Sequence, residues 1–218
     1  MPKNEAAYPR IEPCGDSRYY PLSFQQERVL YLNKLSSEGP LWNRISCKRL
    51  LGNIDVAILK EAVDALIERH SVLRTRIALI AGRPFQSKHG AFDGAFECID
   101  MSDTDDEEEA RAVLDREYET PFSLEGGRLF KAVLIRRGDA EFWLILKLHH
   151  IISDATTLRI LWNDLKGLYD AGLGHGGTPG ALEIEYFDYA RWIRNRFGED
   201  GTREQEVYWL REFAGDLP

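Results

Sequence analysis

Residues 142–148 read FWLILKL, an apolar run broken only by Lys147 and lacking the alternation of a half-exposed strand. A segment this short and this apolar is read as a strand covered on both faces. Arg128 to Arg136 is a second apolar segment, and Gly138-Asp139 between the two is a hairpin signal. A chain built on such a hairpin needs layers on both sides of its sheet, so the expected class is α+β, a mixed β-sheet flanked by helices.

The flanking sequence supplies the layers. From Ser23, SFQQERVLYLNKL places a serine at an N-cap and apolar residues at helical spacing, ending before Gly39-Pro40. Asn43 to Leu51 is read as a strand, and Asn53 as the cap of a helix running to about His70. Val72 to Ile80 and Phe85 to Lys88 are read as a hairpin broken at Gly82-Arg83-Pro84. The acidic run Asp103 to Glu109 opens a helix to about Glu119, its carboxylates suiting the positive end of the helix dipole. Asp154 to Tyr169 has helical spacing, the glycine-rich stretch Gly172 to Gly180 is a loop, and helices follow over Tyr186 to Phe197 and Arg203 to Phe213. Residues 1–20, polar and proline-rich, are expected to be a flexible lead-in, with structure starting at Pro21. Aromatic clusters at Trp162, Tyr186, Tyr189, Trp192, Tyr208 and Trp209 are read as core packing. No internal repeat or linker interrupts 21–213, so one domain is expected.

Charge narrows the partners. With 36 Asp+Glu against 28 Lys+Arg, the net charge of −8 gives no reason to expect nucleic acid or an anionic membrane. Three widely spaced cysteines, Cys14, Cys47 and Cys98, fit reduced thiols in a cytoplasmic protein, and no apolar run approaches the ~20 residues of a membrane span.

The chemical signal is His149-His150-Ile151-Ile152-Ser153-Asp154, where the apolar strand ends and a helix begins. Adjacent residues of a strand point to opposite faces, so one histidine faces a cleft and the other is structural. A metal site would need further ligands, so none is expected. A serine nucleophile at Ser153 lacks the strained G-x-S-x-G elbow. A neutral imidazole acting on bound substrate and a histidine merely satisfied in a core both remain open on spacing alone. Asp154 would order the site, most simply by pairing with an arginine. His70, at a helix end, is read as a cap or packing residue.

HHIISDA, His149 to Ala155, resembles the HHxxxDG signature of nonribosomal peptide synthetase condensation domains, which have the chloramphenicol acetyltransferase-like fold. YPLSFQQERVLYL (Tyr20 to Leu32), RHSVLRTRI (Arg69 to Ile77) and EYFDYARW (Glu185 to Trp192) are similar to the family's first, second and fourth core motifs, in order. PFSLEGGRLFKAVLIRR, from Pro121, resembles the approach to the histidine motif, and YWLREFAGDLP a segment further on.

The resemblance implies that His150 is the catalytic histidine, orienting or deprotonating an amine that attacks a thioester, or stabilising the resulting tetrahedral species. His149 would support the loop, and Asp154 would be held by an arginine of the second motif, Arg69 first and Arg74 second. It implies no cofactor bound by the domain, substrates carried on the 4'-phosphopantetheine of carrier proteins, and amide formation. Family members have two lobes, so residues 21–218 are expected to be the N-terminal lobe, with the C-terminal lobe as a further partner and the isolated lobe inactive. Ala155 stands where the family has glycine and would narrow the site or shift the strand-to-helix turn. Two rivals are an epimerization domain, suggested by TTLRILWNDL after the motif, and a non-catalytic lobe that docks carrier proteins. RHSVLRT favours condensation.

Overall fold

The hairpin predicted from the apolar segments forms the centre of the protein. A computed structural model describes residues 10–36, 39–90, 94–104, 106–125, 127–198 and 203–215. Strand β7 (Glu141–His149) pairs antiparallel with β6 (Phe130–Arg136) on one side and with β2 (Asn43–Leu51) on the other. Beyond β6 lies β5 (Phe96–Asp100), parallel to it. This edge strand is not legible in the sequence, because FECID is short and half polar. The resulting sheet, in the order β2-β7-β6-β5, is mixed as expected.

Its faces divide by residue parity. Phe142, Leu144, Leu146 and Leu148 join one core, with residues of α1 (Phe24–Leu35), α2 (Val56–Arg69) and α4 (Thr157–Gly172). Ile145, with Val133 and Ile135 of β6, packs on the other face against α3 (Glu107–Glu119). Burial on both sides explains the unbroken apolar sequence. Helices α2 and α4 approach so closely that a Cβ on Gly172 would lie 2.6 Å from Ile58 Cγ2.

The structure adds a separate three-stranded sheet, ordered β1-β4-β3, from β1 (Tyr20–Pro21), β4 (Arg83–Lys88) and β3 (Thr75–Ile80). Pro84 lies within β4 and does not break it. It sits beyond the part of β4 that pairs with β1, at Phe85 and Gln86, so its missing N–H faces an open edge. Val72 belongs to a 3-10 turn, Ser71–Arg74, and not to the strand.

Other boundaries moved for local reasons. Ser23 caps α1 in a reciprocal box with Gln26. Asp55, not Asn53, caps α2, accepting from the Ala57 and Ile58 amides. Asp106 caps α3, and Asp105 lies outside the described residues. Residues 1–9 of the expected flexible segment also lie outside them, but residues 10–20 are docked. The Cys14 amide donates to Asp188 of α5 (Tyr186–Arg196) at 2.7 Å, Arg191 donates to the Cys14 carbonyl, and Tyr20 is buried.

Helix α6 (Arg203–Glu212) corrects one packing expectation. Tyr208 and Trp209 are 53% and 54% exposed, and Trp209 stacks on Phe213 four residues on, so the aromatic spacing is satisfied along the helix surface. Among the described residues no helix is long and apolar enough to cross a membrane. The three cysteines are unpaired.

Candidate functional site

Strand β7 ends at His149, and a 3-10 turn, His150–Ile152, carries the chain toward α4. The parity that sorts β7 continues here. His149 follows Ile145 and Lys147 on one face, and His150 leaves on the other.

His150 borders a cavity of about 500 Å³. Its walls come from α1 (Gln25, Val29), the turn at His70–Val72, the start of α4 (Thr157, Ile160) and α5 (Tyr186, Tyr189). The imidazole is partly accessible, and Trp42, just before β2, lies nearly parallel to it at 17° and 6.2 Å between ring centroids. Burial, and then the Arg44 guanidinium, hold its pKa below the usual value, while the Ser153 backbone and Asp154 pull the other way. The ring is therefore neutral near pH 7. Its Nδ1 is buried and meets no protein partner among the described residues.

His149 is 1% exposed. Its Nδ1 accepts the Ile151 amide at 3.0 Å, and its carbonyl accepts the Ser153 hydroxyl. Burial, helped by the neighbouring His150, lowers its pKa to about 4.

Asp154 is placed differently from expectation. One oxygen, Oδ1, accepts from the Thr156 amide (3.0 Å) and hydroxyl (3.0 Å) and from the Thr157 amide (2.9 Å) and hydroxyl (2.7 Å). In return the Asp154 amide donates to Thr157 Oγ1 at 2.9 Å. The aspartate thus closes the turn that leads into α4, and its exposure leaves no need for an arginine. These hydrogen bonds keep its carboxyl below the usual range despite some burial.

The two arginines serve elsewhere. Arg69 Nε donates to Asp164 of α4 at 2.8 Å, and its Nη1 reaches the Pro179 carbonyl, pinning the glycine-rich loop onto α2 and α4. Arg74 is buried and spans the Ile67, Glu68 and His89 carbonyls. Neither reaches Asp154, because short-range threonine donors already saturate it. His70 shares Asp164 with Arg69, at 2.8 Å, and borders the cavity.

Ala155 is exposed, has an ordinary backbone conformation and does not border the cavity. The turn therefore does not draw on the conformational freedom of glycine at this position. Sequence reasoning missed Trp42 and Arg44, whose only signal is their register: Asn43 pairs with His149, which places both beside the histidines. Tyr186 and Tyr189, expected in the core, wall the cavity instead, with the Tyr186 hydroxyl 2.8 Å from Ser23 Oγ.

Comparison with known proteins gives this geometry a context. The Condensation domain family matches residues 16–218. A linear gramicidin synthase of Brevibacillus parabrevis is 33% identical over 210 residues, covering 94% of this chain and 4% of the relative. Bacitracin synthase 3 of Bacillus licheniformis is 31% identical over 214 residues, covering 98% of this chain and 3% of the relative. The starter condensation domain of rhizomide synthetase superposes with a TM-score of 0.81 at 22% identity, over 92% of this chain and 49% of that one. The chain therefore spans a few per cent of these synthetases and about half of a solved condensation domain. The nonribosomal peptide synthetases supply the relatives, the fold is theirs, and this chain belongs to the condensation domain family.

Proposed function

We propose that residues 21–218 form the N-terminal lobe of a condensation domain that joins an acyl or aminoacyl thioester to an amine, with His150 as the acting group. The substrates would arrive on the 4'-phosphopantetheine arms of carrier proteins, the C-terminal lobe would close the site, and the reaction would run in the cytoplasm. The observation that carries this reading is His150 at the wall of a 500 Å³ cavity, neutral near pH 7 and stacked beside Trp42.

In amide formation the amine nitrogen bonds to the thioester carbonyl carbon, the C–S bond breaks, the amine loses a proton and the sulfur leaves as thiol. A neutral imidazole accepts a hydrogen bond from the amine and, as its N–H acidity rises, the proton itself. Arg44 and partial burial favour that neutral form. Asp154, Thr157 and His149 hold the turn that presents the ring. Because its pKa lies below the usual 6.5, the imidazole's own contribution to the pH dependence should be complete at lower pH than for an ordinary histidine.

The test is amide formation by the native protein that carries this chain, wild type beside His150→Ala, with product measured by mass spectrometry. A loss of about 10²-fold or more is expected. Unchanged yield would leave the lobe a docking module for carrier proteins. Exchange of the α-proton on a carrier-bound aminoacyl group would instead favour epimerization.

A further inference from the structure

His149 borders a second cavity, of about 670 Å³. Its Nδ1 accepts the Ile151 amide, which leaves the proton on Nε2, and that nitrogen is buried away from the space beside it. The smaller cavity, of about 500 Å³, has a second imidazole in its wall besides His150. This is His70, at the C-terminal cap of α2.

The His70 ring is held from one side only. Its Nε2 lies 2.8 Å from Asp164 Oδ2, and the same oxygen accepts Arg69 Nε at 2.8 Å. Despite burial, the hydrogen bonds from Arg69 and His70 keep the Asp164 carboxyl below the usual range, so it is a carboxylate at neutral pH. A carboxylate only accepts, so Nε2 carries a proton and the neutral ring keeps its lone pair on Nδ1. Nδ1 meets no protein donor among the described residues. Unlike the neighbouring Ser71 Oγ, it is not sealed in the interior. The side chain keeps 11% of its surface exposed, and the space it borders is this cavity.

Other polar groups of the wall are engaged. The Tyr186 hydroxyl pairs with Ser23 Oγ at 2.8 Å, Glu185 with Lys88 at 2.9 Å, and Gln26 Oε1 accepts the Ser23 amide at 3.0 Å. Val29, Ile160 and Leu161 make much of the rest apolar. An N–H group that leaves water for such a space needs an acceptor, and Nδ1 is one already oriented by Asp164.

We propose that His70 is a substrate-binding residue of this cavity, its Nδ1 accepting a hydrogen bond from an N–H of the amine to be acylated, with Asp164 as the positioning residue behind it. This role rests on the cavity being the place where the amine reacts. The two imidazoles then have different tasks: His150 acts on the proton that a primary amine loses, and His70 holds the N–H that it keeps. A secondary amine has no second N–H to offer.

The test is amide formation by the native protein that carries this chain, at pH 8, with L-leucine methyl ester and its N-methyl counterpart as free amines. Glutamine at 70 can reach Asp164 as Nε2 does but leaves no acceptor in place of Nδ1, whereas asparagine can put its amide oxygen there. His70→Gln should raise KM for leucine methyl ester about five- to tenfold, the ratio for one lost hydrogen bond, with a smaller effect on kcat. His70→Asn should recover most of that loss, and the wild-type preference for the primary amine should shrink in His70→Gln. A normal KM in His70→Gln, a loss in kcat alone, an equal loss in His70→Asn, or a preference that survives in His70→Gln would each overturn the proposal. Where His70→Gln fails to fold, equal KM values for the two amines in the wild type overturn it. His150→Ala separates the two readings: if it leaves the yield unchanged while His70→Gln raises KM, the role of His150 falls and that of His70 stands.

Discussion

Lowering the pH should destabilise the fold through His149. The folded imidazole holds its proton only below about 4, against the usual 6.5. Between those values the unfolded chain binds a proton that the folded chain refuses, so the unfolding free energy rises with pH across this window. Stability is full above about pH 6.5 and falls as the pH drops, and the loss is complete below about pH 4. The displacement corresponds to about 3 kcal/mol in all, of which about 2 kcal/mol is lost by pH 5. Asp154, Asp164 and Asp188 all have carboxyls below the usual 3.8, so their protonation falls outside the interval between pH 5 and 7. His89 and His150 also have lowered values, but they remain in any single variant of His149 and cancel in a comparison. In His149→Asn the amide oxygen can take the Ile151 N–H that Nδ1 now takes, without titrating. Urea unfolding at pH 7 and at pH 5 should show wild type losing about 2 kcal/mol more than His149→Asn over that interval. Equal losses would refute the reasoning, since the histidine would then be titrating normally.

Substitutions at three further positions test particular contacts. Asp154→Ala should cost about 1–2 kcal/mol in chemical unfolding and Asp154→Asn much less, since asparagine keeps the accepting oxygen; equal costs would point to the ion pair that the geometry lacks. Arg69→Ala should destabilise by about 1–3 kcal/mol, and limited proteolysis should then cut first within 172–180, because Asp164 and the Pro179 carbonyl lose their shared donor. Ala81 has a φ of 49° beside Gly82 at 78° in the β3–β4 turn, so Ala81→Gly should raise the melting temperature, by about 1 kcal/mol of relieved strain; an unchanged midpoint would contradict it.

What the sequence made legible follows from where each residue's partners lie. β2 runs from Asn43 to Leu51 as expected, α1 is capped by Ser23, and the β6–β7 hairpin falls where Gly138-Asp139 places it. These elements declare themselves through apolar pattern and turn chemistry a few residues away. β5 does not, because its pairing is to one neighbour only and its sequence is mixed. Of the second sheet, the β3–β4 hairpin is legible in this way but the addition of β1 is not, since it rests on Gln86, a buried amide that accepts from Gln26 and donates to the Pro21 carbonyl. That network joins three segments distant in sequence, and no local pattern encodes it.

The candidate site shows the same division in the opposite sense. The expectation that Asp154 needs a distant arginine rests on the premise that an aspartate in a functional motif is buried. Its partners are instead two and three residues away, and they could have been read from the threonines of SDATT alone. A carboxylate followed by two threonines at a helix start has four local donors within reach, and a long-range ion pair adds little to an acceptor so saturated. The arginines are then free to hold other parts of the framework, Arg69 the glycine-rich loop and Arg74 the end of α2. What remains particular to this region is narrow: the end of β7 and the turn after it place two identical side chains beside two different cavities. His150 stands at the smaller, with a guanidinium and an indole beside it, and His149 stands at the larger, with its spare proton directed by the Ile151 amide. Strand alternation ends at His149, and the 3-10 turn that follows sets His150 apart from it.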